Sequence, residues 1–229
     1  MHVTEGYAVL WDMDGVLVDS GNLHRRAWRL FLEQRGLSIG DKVFALGFGR
    51  PNEEVLPEFF GPALSGTEIA RLSAEKESCY RDLVAREGIC PTPGIRLWLE
   101  RFCQAGIRQA VATSGCRANV DLVLAMIDAA RYMQAIVSAG DVLRGKPEPD
   151  LFLKAAELLG IHPSRCLVIE DSVFGVQAAQ RANMHCLALA TTHAADHIQG
   201  CDWVLPDMTS FSWDIWLRLF GGCETCVKS

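Results

Sequence analysis

Hydrophobic residues along this chain fall into two alternating patterns. Short, nearly unbroken apolar runs occur at 7–13 ("YAVLWDM"), 108–113 ("RQAVAT"), 135–139 ("AIVSA"), 165–171 ("RCLVIED"), 185–190 ("HCLALA") and 202–205 ("DWVL"). Runs of this length with no polar alternation predict strands buried on both faces. Between them, apolar residues recur at helical spacing at 22–36 ("NLHRRAWRLFLEQRG"), 95–106, from about Arg117, at 150–160 ("DLFLKAAELLG") and at 173–183 ("VFGVQAAQRAN"). Repeated strand–helix units predict an α/β fold: a doubly wound, mostly parallel sheet covered by helices through right-handed crossovers.

One stretch breaks the alternation. After the first strand and helix, "GFGRPNEEVLPEFFG" and "SGTEIARLSAEKESCYRDLVAREG" read as helices with Gly and Pro breaks, and no strand lies among them. The alternation resumes after "CPTPG" at 90–94. The expected organisation is a core made of residues 1–20 and 89–229, interrupted by an α-helical cap at 21–88. No internal repeat or low-complexity segment is visible.

Composition narrows the function classes. Hydrophobic residues make up 49% and charged residues 22% of the 229, enough for a packed core. The formal net charge is −6 and no Lys/Arg tract is present, which argues against nucleic acid and anionic membranes as partners. No apolar run is long enough to span a bilayer, and the N-terminus has no basic–apolar signal pattern, so a cytoplasmic protein is expected; a monomer acting on a small phosphorylated metabolite is the accompanying expectation. The nine cysteines are scattered, which fits reduced thiols better than a disulfide framework; the lone pair Cys223 and Cys226 is a weak metal or redox signal.

The polar residues at the strand ends carry the chemistry. In an open α/β sheet, ligands bind beyond the carboxyl ends of the strands. There the first run ends in Asp12 and Asp14, the second in Thr113, Ser114 and Gly115, and the fourth in Glu170 and Asp171, while Lys146 lies in the loop "RGKPEPD". Asp12 and Asp14, two residues apart in an extended segment, can face one side. With Asp171 they form an oxygen donor set suited to Mg²⁺. Thr113, Ser114 and Gly115 stand between a strand and a helix, where backbone N–H groups bind anions. Each feature has a plain structural alternative: an Asx turn at D-x-D-G, an N-cap at Thr113–Ser114, a solvated lysine, and a helix cap at Asp171 or Ser172. Their convergence on one rim points instead to in-line phosphoryl transfer through an aspartyl-phosphate, with a carboxylate nucleophile, Mg²⁺, a lysine and backbone donors.

The segments "DMDGVLVDS", "ATSG", "GKPEPD" and "VIEDSVFGVQAA" resemble, in order and spacing, the four motifs of the haloacid dehalogenase superfamily. The early insertion after "DGVLVDSGNLHRRAW" is similar to the branch containing β-phosphoglucomutase and sugar-phosphate phosphatases. The resemblance implies Asp12 as nucleophile and Asp14 as general acid/base, with the Asp14 backbone carbonyl on Mg²⁺. It implies Thr113, Ser114 and Lys146 as phosphate ligands, Asp171 as a metal ligand, and Glu170 as a ligand or one shell out. In the insert it implies Ser20 at a hinge, with His24, Arg50 and Lys76 facing substrate, although a helical Lys in "AEKESCYRDL" ordinarily pairs on the surface. Two departures are visible: "MIDAARYMQAIV" at 126–137 replaces a Gly-Leu…Tyr-Phe-Asp segment, which bears on packing, and Trp11 replaces a Phe.

These features imply a Mg²⁺-dependent phosphatase of small sugar phosphates, with a β-phosphoglucomutase-type mutase as the alternative. A dehalogenase would not need Asp14, and a phosphonate hydrolase would need a lysine between 15 and 40, where there is none. A non-catalytic binding protein on the same fold would be expected to have lost Asp12, Lys146 or Asp171, and all three are present.

Overall fold

The computed structural model describes residues 6–38 and 52–221. Six strands form one sheet: β1 (Ala8–Trp11), β2 (Arg108–Ala112), β3 (Ala135–Val137), β4 (Cys166–Glu170), β5 (His185–Leu189) and β6 (Trp203–Leu205). Their order is β3-β2-β1-β4-β5-β6, and every pairing is parallel. The chain builds outward from β1 in one direction, then crosses back to start β4 on the other side of β1. The carboxyl ends of β1 and β4 therefore flank the point where the winding reverses, the place where such sheets open a ligand crevice.

The strands are short because each apolar run ends in a loop once its buried residues are placed. β1, β4 and most of β5 are fully buried, as expected of parallel strands covered on both sides. Against one face pack α6 (Asp150–Leu159) and α7 (Val173–Arg181), through Leu151, Phe152, Ala155, Val176 and Ala179. On the other side α4 (Ile95–Gln104) meets a C-terminal helix, α8 (Trp213–Leu219), in an aromatic cluster. Trp98 stacks edge-on with Phe211 and Trp213, and Phe102 with Trp213. Trp11 fits the position read as a departure because its indole N–H has a partner: Nε1 donates to Gln109 Oε1 at 3.1 Å, and Gln109 Nε2 donates to the Leu99 carbonyl at 2.9 Å. α5 (Arg117–Met126) follows β2, and the atypical segment after it forms a short 3₁₀ turn at Ala130–Tyr132 that leads into β3.

The chain divides into two compact units, parted after Asp19 and after Ile89. The smaller unit, taken by itself, is helical: α1 (Gly21–Glu33), α2 (Asn52–Phe60) and α3 (Gly66–Glu87). Ser65 and Glu68 form a capping box at the start of α3, so its first N–H groups have acceptors. Trp28, Phe31 and Leu32 of α1 pack with Val55 and Leu56 of α2 and Leu72 of α3. Among the described residues no helix is long and apolar enough to cross a membrane.

Candidate active site

Extended pairing of β1 stops one residue before its first acid. Asp12 N–H still donates to Ile169 O at 3.0 Å, and the chain then turns, with Gly15 N–H on Val18 O at 2.8 Å and Val18 N–H on Met13 O at 3.2 Å. The turn needs a glycine twice over. Gly15 has φ +84, and a Cβ there would lie 1.9 Å from Asp171 Oδ2. The glycine of D-x-D-G thus lets the β1 turn approach the acid at the end of β4.

The turn separates the two acids of that motif. Asp12 is buried and joins Glu170 and Asp171: each offers a carboxylate oxygen, and these oxygens lie within 4.8 Å of one another. Asp14 is half-buried and its Oδ2 lies against Gly115, 3.7 Å from where a Cβ on that residue would be. The 10–14 segment therefore sends one acid to the carboxylate cluster and the other towards the Thr113–Gly115 loop.

Lys146 comes from the loop between β3 and α6. That loop is held by Arg144 on Asp150 (2.8 Å), by Arg181 on Glu148 (2.6 Å) and by the Ser138–Asp141 capping box. The Lys146 ammonium lies 2.5 Å from Asp12 Oδ1, donates also to Glu170 Oε1, and stands 5.0 Å from the centre of the Phe152 ring. Lysine donates three hydrogens and accepts none, so each contact fixes an acid as acceptor. The solvated-lysine alternative fails here, since the side chain is only 6% exposed.

Glu170 is engaged on both oxygens. Its Oε2 accepts from Asp171 N–H (2.9 Å), Ser172 N–H (3.0 Å) and Ser172 Oγ (3.0 Å). The helix-cap alternative for this segment belongs to Ser172 alone, whose Oγ accepts from Gly175 N–H at the start of α7. Gly175 is also required for space, because a Cβ there would fall 1.8 Å from the Glu170 carboxyl carbon. Sequence reasoning passed over Gly175, although a glycine in the first turn of an otherwise good helix is a signal of close approach.

Three buried carboxylates face one ammonium, and the electrostatics register the excess. Burial, reinforced by Glu170 and Asp14 and opposed by Lys146, pushes Asp12 up to about 7. Burial, then Glu170 and Asp12, raise Asp171 well above the ordinary carboxylate range. Burial works against the charge on Lys146, but Asp12 and Glu170 outweigh it and hold the ammonium above its ordinary value. A cluster of hard oxygen donors with surplus negative charge fits Mg²⁺ on donor type and on charge.

The phosphate-loop candidates divide by burial. Thr113 is buried, donates its N–H to Val137 O at 3.0 Å, and its Oγ1 accepts from Gly115 N–H at 3.1 Å. The Thr113 hydroxyl, having accepted, keeps its own hydrogen to give. Ser114 is exposed.

Within the smaller unit, His24 and Lys76 meet. Lys76 Nζ lies 3.0 Å from His24 Nδ1 and 2.8 Å from Glu77 Oε1, and Asn52 Nδ2 donates to the same Glu77 oxygen at 2.8 Å. The His24 ring stacks on Tyr80 at 3.9 Å, and the ammonium stands 5.3 Å from the Trp28 ring centre. Lys76 is not the surface residue its surroundings suggest; it is buried, at the spacing of Leu72 and Tyr80 along α3. Ser20 is buried at the N-cap of α1, and its carbonyl accepts from His24 N–H at 2.9 Å. Arg50, Cys223 and Cys226 lie outside the described residues.

Residues 9–189, most of the chain, match the family model described as haloacid dehalogenase-like hydrolase. The chain is 31% identical over 204 residues to the validoxylamine A 7'-phosphate phosphatase of Streptomyces hygroscopicus subsp. limoneus, covering 89% of this chain and 95% of that one. It is 33% identical over 200 residues to hexitol phosphatase A of Escherichia coli, covering 87% and 90%. Among solved structures, a HAD hydrolase of family IA, variant 3, from Entamoeba histolytica superposes with a TM-score of 0.87 at 25% identity, over 93% of this chain and 99% of that one. With its motifs on one rim of a parallel sheet and the family model spanning both units, this chain belongs to the haloacid dehalogenase-like hydrolases.

Proposed function

We propose that the protein is a Mg²⁺-dependent phosphatase of small phosphorylated sugars that works through a phosphorylated Asp12. The observation that carries this reading is the buried contact of Lys146 with Asp12 and Glu170, beside Asp171, at the reversal point of the sheet. Relatives whose names state phosphatase activity on phosphorylated carbohydrates favour hydrolysis over isomerisation.

The roles follow from what each side chain can do. Lys146 binds one Asp12 oxygen and leaves the other to attack phosphorus. The P–O bond to the sugar breaks as the P–O bond to Asp12 forms, and Asp14 gives a proton to the departing sugar oxygen. Water then attacks the same phosphorus, Asp14 takes its proton, and the bond to Asp12 breaks to release inorganic phosphate. Thr113 and Ser114, beside Gly115, hold the phosphoryl oxygens, joined by the charge of Lys146. Asp12 and Asp171, with the Asp14 carbonyl and with Glu170 beside them, would hold Mg²⁺, which when bound offsets the negative charge gathered between phosphate and carboxylate. Glu170 serves largely by fixing Lys146, since its other oxygen is committed to Asp171 and Ser172. Recognition of the sugar is assigned to Ser20, His24, Arg50 and Lys76.

A panel of hexose, pentose and polyol monophosphates, scored for released phosphate and in parallel for isomerised product, tests the reading. Phosphate is the expected main product. Conversion of β-glucose 1-phosphate to glucose 6-phosphate faster than phosphate release would establish the mutase instead.

A further inference from the structure

The loop that follows β5 reaches across the end of β4 to the acid cluster. Thr191 Oγ1 donates to the carbonyl of Gly15 at 2.5 Å, a contact spanning 176 positions of sequence. The Thr192 hydroxyl stands beside the Asp171 carboxylate, against Gly15. Both hydroxyls converge on Gly15: a Cβ on that residue would meet Asp171 Oδ2 at 1.9 Å and Thr192 Oγ1 at 2.6 Å. β5 is not a neighbour of β1 in the sheet, since β4 lies between them. Asp171 is therefore enclosed, with the β1 turn on one side and the β5 loop on the other.

The ordinary role of consecutive threonines after a strand is to cap the next turn. That role is not taken here. The following 3₁₀ turn, Ala195–His197, is preceded by Ala194 and has no side-chain cap. The two hydroxyls are spent on the site rather than on their own loop.

We infer that Thr192 is a positioning residue for the divalent cation, holding the Asp171 carboxylate turned towards Asp12 and Glu170, with Thr191 pinning the β1 turn behind it. A carboxylate next to a glycine has no side chain there to limit its rotation. A hydroxyl donor on a loop anchored to the Gly15 carbonyl supplies that limit. The inference rests on the reading of Asp171 as a metal ligand, and the experiment separates the two.

Mn²⁺ is the probe, titrated into the full-length metal-free protein and followed by the loss of its free-ion EPR signal. The native protein, Thr192→Val, Thr192→Ser and Thr191→Val are compared, with thermal unfolding in chelator as the check on folding. Val keeps the shape of Thr and removes only the hydroxyl, and the expected result is Mn²⁺ affinity weaker by about 10- to 100-fold, the usual cost of losing a partner of a metal ligand. Thr192→Ser keeps the hydroxyl and should bind within about threefold of native, while Thr191→Val should lie between the two. If Thr192→Val is too unstable to titrate, Thr192→Ser against Thr192→Ala carries the comparison. Equal Mn²⁺ affinity for hydroxyl-bearing and hydroxyl-lacking variants overturns the inference, even if their unfolding temperatures differ. Failure of the native protein to bind Mn²⁺ overturns the metal reading of Asp171 itself.

Discussion

Among the described residues two lysine side chains are buried, and they are neutralised differently. Lys76, in the smaller unit, has one carboxylate, Glu77, and an imidazole partner in His24. Lys146, in the larger unit, has two carboxylates in contact and a third beside them. The first arrangement balances a charge; the second leaves a surplus. A buried pair held one-to-one is compensated, whereas surplus buried acid must either take up a proton or receive a cation. The contrast is visible in the carboxylates. Despite burial, Lys76 and His24 bring Glu77 below its ordinary range, while burial and like charge put Asp12 at about 7.

The comparison breaks most severely at Asp12. Asp12→Asn removes the attacking oxygen and should abolish most of the rate enhancement, a loss of at least roughly 10⁴-fold in phosphate release. Turnover near the native rate would return Asp12 to a structural role. Lys146→Met comes next. It should lower kcat/KM by at least roughly 10²-fold, because Asp12 and Glu170 lose their shared partner where charge must be offset. A change under about threefold in steady-state kinetics would remove Lys146 from the transition state. Lys76→Ala is expected to act more weakly and on a different parameter, raising KM more than it lowers kcat, as loss of uniform binding does.

The pH dependence of stability sharpens the same contrast, because the two units should respond with opposite sign. Asp12 holds its proton more tightly folded than unfolded, so its contribution is full below about pH 4 and is lost as pH rises through about 7. The chelated protein should therefore lose stability over that window, and Mg²⁺ should raise the unfolding temperature more at roughly pH 8 than at roughly pH 5. Glu77 is depressed, so its contribution is present above its unfolded value and is lost as pH falls through the folded one. Glu77→Gln should thus cost stability at neutral pH and little in acid. Equal Mg²⁺ stabilisation at both pH values in differential scanning calorimetry would contradict the surplus-charge account.

The two lysines also show what the sequence makes legible. Lys146 was readable because its motif recurs with three others at strand ends, and the parallel-sheet rule brings strand ends together whatever their separation in sequence. The strands themselves were readable from unbroken apolar runs, though each extended stretch is shorter than its run, as at β1, where pairing ends at Trp11. Lys76 carried a helical cue that pointed the right way: Leu72 and Tyr80 stand four residues to either side, on a buried face. Its local context of charged residues read as surface, and its partner His24 lies 52 positions away, beyond any local pattern. The side-chain ties of Thr191 and Thr192 had no motif of their own. Their one signal was position, since the loop after β5 opens on the same rim as the acids. The C-terminal helix α8 was not foreseen, because its seven residues are too few to show a period.

The central claim is that Asp12 becomes phosphorylated in a cluster poised by surplus negative charge. The direct test is a single turnover of radiophosphate-labelled p-nitrophenyl phosphate with Mg²⁺, quenched in acid and mapped by peptide. The account predicts label that survives acid, is released by hydroxylamine as an acyl phosphate must be, lies on the peptide containing Asp12, and is lost in Asp12→Asn. Phosphate released at a matching rate with no label on the protein at any time would contradict it.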